Sequence, residues 1–441
     1  MSDPISALRS AIDDRTASIG VVGLGYVGLP AACVLAEVGF NVRGIDIDVR
    51  RVGLINNGQS PIEGNEPGLA ELLVRVIETQ RLRASTSHDD LRDADVVLIC
   101  VDTPVEADHR PRFKALTEAC MQLGEVLKDG ALVIVESTIA PGTIDGVVKP
   151  ALERPAGRRS GKAFHIGHCP ERVMPGKLLG NMRTMSRVCG GSSREIAETM
   201  IALYSTFVDA DLDPADCLTA ELVKTAENAY RDVGIAFANQ LALICELTGG
   251  DVWQVRELVN KSPGRNVLYP GGGVGGHCIP KDPWLLAAPL GEGAETSLLG
   301  VARRINDGMP AHVASLVAQF APPGDGARIA VLGYAYLENT DDARNSPSRS
   351  LVEILNAKGY QIAVHDPFVK DYAGDLMDIF RETDCAVLMV AHSAYRELDL
   401  ATAAQYMRHA CLVDARGFFS ADALAAAGFQ FRTIGVGART H

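Results

Sequence analysis

Short, unbroken apolar runs alternate with amphipathic stretches over the first third of the chain. The run 18-SIGVV-22 leads into Gly23-Leu24-Gly25-Tyr26-Val27-Gly28, a helical stretch follows, and a second apolar run ends at Asp46. Two further runs, 95-DVVLICV-101 and 131-ALVIVES-137, each close on polar residues, Asp102-Thr103-Pro104 and Ser137-Thr138. Strands buried on both faces read as continuous hydrophobic runs, and their alternation with helices implies a parallel sheet. The rhythm returns after 321-APPGDGA-327, with runs at 328–336, 361–367, 385–392 and 411–417 and a helix around 347–358. Between the two lies a proline-free helical period from Asp216 to Thr248, closed by Gly249-Gly250. At 1.5 Å per residue it spans about 50 Å. Its apolar positions are too numerous for one solvated face, so burial between domains or subunits is expected. A further helix is expected near 298–309. The pattern predicts an α/β protein with two Rossmann-like doubly wound parallel-sheet domains joined by a long central helix. The expected divisions are 1–210, 211–322 and 323–441.

Composition narrows the function. A chain of 441 residues with 47% hydrophobic and 22% charged residues is ordinary for a multi-domain globular protein. The formal net charge of -13 argues against nonspecific nucleic-acid or membrane-surface binding. No basic segment followed by an apolar core is read in the first 18 residues, and no run of 18 apolar residues follows, so a cytoplasmic protein is expected. The ten cysteines form no CxxC pair, and most lie in apolar runs, as small buried hydrophobes of a reducing compartment do. The cluster 165-HIGHC-169 lacks a second ligand set, so no metal is expected.

Strand, GxGxxG, helix, strand and acidic residue together form a dinucleotide fingerprint. Gly23, Gly25 and Gly28 allow the turn and the approach of a pyrophosphate, with Tyr26 and Val27 between them. Asp46, 18 residues after Gly28, is placed to accept hydrogen bonds from ribose hydroxyls, which favours NAD over NADP. Thr103 and Thr138, at strand ends, read either as cofactor or water contacts or as loop caps. In 271-GGGVGGHCIPKDPW-284, five glycines precede Cys278. The run is either a linker or a place where backbone passes close to a ligand with the thiol held against it. Lys224 and Asn228 are four apart on the long helix and share a face, in apolar surroundings that point to a buried, working lysine.

With these residues in hand, the chain resembles the UDP-glucose/GDP-mannose dehydrogenase family over nearly its whole length. The resemblance is carried by Gly23–Gly28, 170-PERVMPG-176, 221-ELVKTAENAYRD-232, 273-GVGGHCIPKDPW-284 and 341-DDARNSP-347. PERVxPG with GVGGHC looks like the branch that oxidises UDP-N-acetylhexosamines, UDP-N-acetyl-D-mannosamine above all. The resemblance implies that Cys278 is a nucleophile forming a thiohemiacetal and then a thioester, while two NAD each take one hydride. It implies Lys224 as oxyanion stabiliser, Asn228 and Asp282 as orienting groups, Glu171 as base and Thr138 as water holder. It carries Glu171, Arg172, Lys224, Asn228, Arg265, Gly275, His277 and Arg344 into substrate binding, and it implies a homodimer. His277 is open among lowering the thiol's pKa, touching sugar and packing the loop.

Three positions depart from the family pattern. Pro175 stands where the UDP-glucose branch has a second glutamate, which counts against UDP-glucose. Leu337 stands where a lysine is frequent, and Arg265 follows Pro263-Gly264 rather than the proline directly. The competing expectations are a UDP-N-acetylglucosamine or UDP-glucose dehydrogenase, a single-step hydroxyacid dehydrogenase with a structural Cys278, and a non-catalytic nucleotide-sugar sensor.

Overall fold

The computed structural model describes residues 4–437 except 63, 65, 156–158, 162 and 324–325, so part of the stretch 321–327 lies outside the described residues. Two compact units result, Met1–Glu227 with Trp284–Pro289, and Asn228–Pro283 with Leu290–His441.

The first unit holds β1 (Ser18–Val22), β2 (Asn41–Ile45), β3 (Leu82–Ser85), β4 (Val96–Ile99), β5 (Ala131–Val135), β6 (Phe164–His168), β7 (Arg187–Gly191) and β8 (Leu212–Asp216). They make one sheet in the order β3-β2-β1-β4-β5-β6-β7-β8. Helices cover both faces. Leu29, Leu35, Phe40, Leu72 and Tyr204 are buried on one, and Leu116, Leu123, Val148 and Leu152 on the other. β4 and β5 are buried at every position, as their unbroken apolar runs require. The strand order reverses between β1 and β4, the switch point where ligands sit in such sheets.

The expectation of a wholly parallel sheet needs one correction, because β6 and β7 pair antiparallel. The connection 169–186 contains only one short helix, Leu178–Thr184, and no crossover that would carry the chain back across the sheet. β7 therefore starts at the rim where β6 ends. β3, β6, β7, β8 and the thirteenth strand below were not read from the sequence. β7 (RVCGG) and β8 (LDPAD) lack the apolar run that marks a central strand.

The second unit holds β9 (Arg328–Leu332), β10 (Gln361–His365), β11 (Cys385–Leu388), β12 (Cys411–Asp414) and β13 (Gln430–Thr433). Their order is β10-β9-β11-β12-β13, and all pairs are parallel. Val313, Val317 and Leu351 are buried on one face, and Phe380, Tyr395 and Leu424 on the other.

The long helix runs Cys217–Thr248, starting one residue after the end of β8 rather than at Asp216. Within the second unit its buried polar groups meet the helix Leu298–Phe320. Arg303 pairs with Asp232 at 2.6 Å, Asn306 donates to Asp232 Oδ1 at 2.8 Å, and Asn239 donates to Asn306 at 2.9 Å. The Asn239 carbonyl oxygen then accepts the Gly271 N–H at 2.8 Å, which ties the start of the glycine loop to both helices. Arg303 is fully buried and also pairs with the exposed Asp307, so removing Asp232 takes away its buried partner and leaves the Asn306 amide without its carboxylate acceptor. Asp232→Ala is expected to lower the stability of this unit by roughly 1–3 kcal/mol, read as a shifted midpoint in chemical denaturation.

Candidate active site

The turn after β1 shows why its glycines are there. A Cβ on Gly28 would lie 1.9 Å from the Gly23 carbonyl oxygen, and one on Gly23 would lie 2.8 Å from the Cys100 carbonyl oxygen. Gly25, by contrast, would meet nothing within 4 Å. Two glycines are therefore required by packing, and the middle one faces open space, as the approach of a pyrophosphate needs. Asp46, at the end of β2, accepts from the Leu24 N–H at 2.9 Å and the Asp48 N–H at 2.9 Å, and pairs with Arg51 at 3.0 Å. Ile47 beside it is 91% exposed, an apolar surface at the rim of the cofactor turn.

Farther along the same rim, the Thr103 hydroxyl donates to the Thr138 carbonyl oxygen at 2.5 Å, so these two residues are brought together and Thr103 caps the loop. His168, which the sequence suggested only as an improbable metal ligand, is the last residue of β6. Its Nδ1 donates to the Val135 carbonyl oxygen at 2.8 Å, and its Nε2 has no partner among the described residues. Burial, with Lys224 nearby, lowers its pKa to about 4, so the ring is neutral at physiological pH. Lys224 is itself 7% exposed and makes no hydrogen bond or ion pair among the described residues. A buried ammonium without a partner is costly unless a ligand supplies the charge.

Glu171 is buried, accepts from the Arg172 N–H at 2.8 Å, and forms an ion pair with Arg187. Arg172 is taken up by Glu227 and by the Ser186 carbonyl oxygen at 2.6 Å, which clamps the PERVMPG stretch to the start of the long helix. Glu66 holds the same stretch from the other side, accepting from the Gly176 N–H at 2.9 Å and from the Tyr26 hydroxyl. Glu136, Arg187 and Glu66 were missed by the sequence reading. Only Glu136 carried a signal, as the first polar residue after an all-apolar strand.

In the second unit, Cys278 is exposed, and its carbonyl oxygen accepts from the N–H groups of Lys281 at 3.0 Å and Asp282 at 2.9 Å. Asp282 is fully buried, accepts from Asn228 Nδ2 at 2.6 Å and pairs with Lys281 at 3.3 Å. The DDARNSP stretch is zipped to the loop: Gly276 N–H donates to the Arg344 carbonyl oxygen at 2.9 Å, and Asn345 Nδ2 donates to the Gly276 carbonyl oxygen at 3.1 Å. The close approach that the glycines permit is thus to protein. A Cβ on Gly275 would lie 2.6 Å from Tyr336 Cβ, and Gly276 adopts φ +88° against the Tyr336 ring. The Arg344 side chain pairs with Asp342, exposed Arg265 donates to its neighbour Pro263 at 2.8 Å, and His277 is exposed.

A groove opens where the second sheet reverses its order, beyond β9, β11 and β12. It is lined by Gly272, Gly273, Tyr336, Glu338, Ser348 and Arg416 among others. Arg416, which the sequence reading did not single out, pairs with Glu338 at 3.0 Å.

Sequence models of the UDP-glucose/GDP-mannose dehydrogenase family match in three places: its NAD binding domain over 17–208, its central domain over 218–308, and its UDP binding domain over 330–421. A UDP-N-acetyl-D-mannosamine dehydrogenase from Pyrococcus horikoshii is 38% identical over 95% of this chain and 99% of its own, and the solved UDP-D-ManNAc dehydrogenase from that organism superposes with a TM-score of 0.87. The crystal structure of an NDP-N-acetyl-D-galactosaminuronic acid dehydrogenase from Methanosarcina mazei is 34% identical, with a TM-score of 0.85 over 99% of this chain and 98% of that one. A protein of that same description from Ralstonia nicotianae is 35% identical over 94% of this chain and 99% of its own.

Cys278 is the one exposed thiol among the ten. Burial pushes the Cys33, Cys120 and Cys217 thiols up to about 12, which leaves almost no thiolate at neutral pH. Brief treatment of the native protein with iodoacetamide is therefore expected to alkylate Cys278 first, with Cys33 and Cys120 unmodified by peptide mass mapping.

Proposed function

The chain belongs to the UDP-glucose/GDP-mannose dehydrogenase family and is an NAD-dependent UDP-sugar dehydrogenase, and from that premise we propose that it converts the C6 alcohol of UDP-N-acetyl-D-mannosamine to the carboxylate, using two NAD. The observation that carries this reading is Cys278, the one exposed thiol, on a loop fixed at both ends. NAD, held at the turn Gly23–Gly28 and by Asp46, would accept hydride. Loss of hydride from C6 and of the proton from its hydroxyl leaves an aldehyde, and the Cys278 thiolate adds to it to give a thiohemiacetal oxyanion. A second hydride loss leaves a thioester. Water then attacks the thioester carbon, the C–S bond breaks to return the thiolate, and Glu171 takes the proton from water.

Lys224 is the charge for the oxyanion, in keeping with its burial without a partner. Asn228 and Asp282 orient the reacting oxygens, and Thr138 holds water. Arg172, Arg265, Gly275, His277 and Arg344 are kept as substrate-binding positions, with Arg172 acting through the loop that it clamps. The groove at Arg416 is where the UDP moiety is expected. The same reading divides the chain at about 210 and 322 into cofactor, central and UDP-sugar parts, and places it in the cytoplasm; no described helix is long and apolar enough to cross a membrane. A second reading, the corresponding N-acetylgalactosamine sugar, is favoured by the 35% identity to the Ralstonia nicotianae protein.

Two measurements test the chemistry. Across a panel of UDP-sugars, absorbance at 340 nm should show two NADH formed per UDP-N-acetyl-D-mannosamine consumed; one NADH would point to a single-step dehydrogenase. Cys278→Ser should abolish release of the acid while NAD and UDP-sugar still bind, because a hydroxyl is a far weaker nucleophile than a thiolate. Normal acid release would refute the covalent route.

We further propose a homodimer built on the long helix. Tyr230, Phe237 and Ile244 recur every seventh residue and are 80%, 57% and 47% exposed, with Leu247 89% exposed one turn on. Such a stripe on a lone chain is an exposed apolar patch, and a two-fold pairing with its copy would bury it. Phe237→Asp is expected to yield monomers with weakened activity, read by light scattering and turnover.

A further inference from the structure

Beneath Glu171 lies a cluster of buried ionisable groups that the reaction as described leaves unused. Arg187 forms an ion pair with Glu171, and the same guanidinium nitrogen lies 3.9 Å from Glu136 Oε1. The side chains of all three are at most 4% exposed. Tyr204 donates its hydroxyl to Glu136 at 2.6 Å, and the Cys100 thiol reaches the other Glu136 oxygen at 3.6 Å. Arg187 is also stacked over the Tyr204 and Phe207 rings, at 5.0 and 5.6 Å from their centroids. The sheet topology makes this meeting possible. Glu136 leaves the end of β5 and Glu171 follows β6, but Arg187 is the first residue of β7. Only because β7 runs antiparallel does its first residue lie at the rim where its neighbours end. The β6–β7 register pairs His168 with Gly190, and continuing it places Arg187 opposite Glu171.

Two carboxylates share one guanidinium in this space. With both ionised the cluster carries one net negative charge, and with one protonated it is neutral. Burial, the largest influence, pushes the Glu136 carboxyl up to about 7, opposed by Arg187 and reinforced by Glu171. Cys100, Cys169, Cys189 and Tyr204 are titratable groups packed against this cluster. Burial raises the Cys100, Cys169 and Tyr204 groups far above neutrality, which keeps them uncharged. Of the shifted groups, only Glu136 is brought near neutrality.

We propose that Glu136 and Arg187 are positioning residues for thioester hydrolysis, Arg187 holding the Glu171 carboxylate in place and Glu136 setting how readily that carboxylate takes a proton from the attacking water. The inference rests on the reading of Glu171 as the base. When Glu136 ionises, a second negative charge competes for Arg187 and repels Glu171, so a proton on Glu171 is favoured. Nothing in the first hydride transfer draws on this pair.

The test follows decay of the Cys278 adduct in single turnover, by rapid quench and peptide mass spectrometry, as a function of pH. In the unmodified protein the decay rate should rise through neutrality, by up to about tenfold per pH unit for a single ionisation. In Glu136→Gln, which keeps the shape and the acceptor for Tyr204, that limb should vanish while the first hydride transfer and NAD binding are unchanged. Tyr204→Phe removes a hydrogen bond that favours the ionised Glu136, so there the limb should move to higher pH. Should Glu136→Gln prove unstable, that shift decides alone. A limb that persists in Glu136→Gln at the same midpoint, one unmoved in Tyr204→Phe, or a decay rate that falls with pH overturns the proposal. Glu171→Gln separates the two ideas. If adduct decay is unslowed there, the base assignment itself fails, whereas slow decay with an unaltered Glu136→Gln profile sinks only the positioning role.

Discussion

A strand covered by helices on both faces has no place for a polar side chain except at its ends, because each one buried inside would need a hydrogen-bonding partner or cost several kcal/mol. That constraint orders this protein. Asp46 follows β2, Thr103 follows β4, Glu136 and Thr138 follow β5, and Glu171 follows β6, so groups far apart in sequence meet along one rim. The second sheet obeys the same rule with Asp366, Asp414 and Arg416. β7 and β8 run against the other six strands, and β7 is for that reason able to send a cation, Arg187, to the rim where Glu136 and Glu171 lie.

The two sheets use equivalent positions differently. Asp46 closes β2 with three donors and sits beside an exposed apolar residue. Asp366 closes β10 and is saturated. It accepts from the N–H groups of Tyr334, Ala335, Phe368 and Val369 and from His392 Nε2 at 3.0 Å. Burial alone would raise its pKa, but His392 and these N–H donors hold the carboxyl well below the usual carboxylate range. A carboxylate so fully occupied organises loops and does not reach for a ligand. The open groove of the second sheet accordingly lies beyond β9, β11 and β12, away from β10.

The sequence made legible what local pattern encodes. The apolar runs of β1, β2, β4, β5 and β9–β12 gave both sheets, and the fingerprint gave the cofactor turn. Strands whose burial is incomplete or whose residues are small, such as β7 and β8, left no run to find, and the antiparallel pairing depends on a connection rather than on composition. Of the candidate site, the residues that motifs carry were singled out: Cys278, Asp282, Asn228, Lys224 and Glu171. Arg187 and Arg416 were invisible because their meaning depends on what the fold sets opposite them. The glycine loop was half understood. Its thiol was singled out, but the crowding that demands glycine at position 275 comes from Tyr336 and Asn345, roughly sixty to seventy residues onward in the chain.

That loop is a single strip of backbone with two responsibilities. Gly272 and Gly273 line the groove beside Arg416, and five residues beyond Gly273 the same strip presents Cys278. Between them, Gly275 and Gly276 press on Tyr336, which also lines the groove. Placement of the nucleophile and the shape of the groove are therefore inherited together. A side chain added at Gly271 or Gly272 would meet the groove wall at Arg416 or Met389, whereas one added at Gly275 or Gly276 would press on Tyr336. A redesign for a differently sized occupant therefore touches the wall and the strip that carries the thiol together.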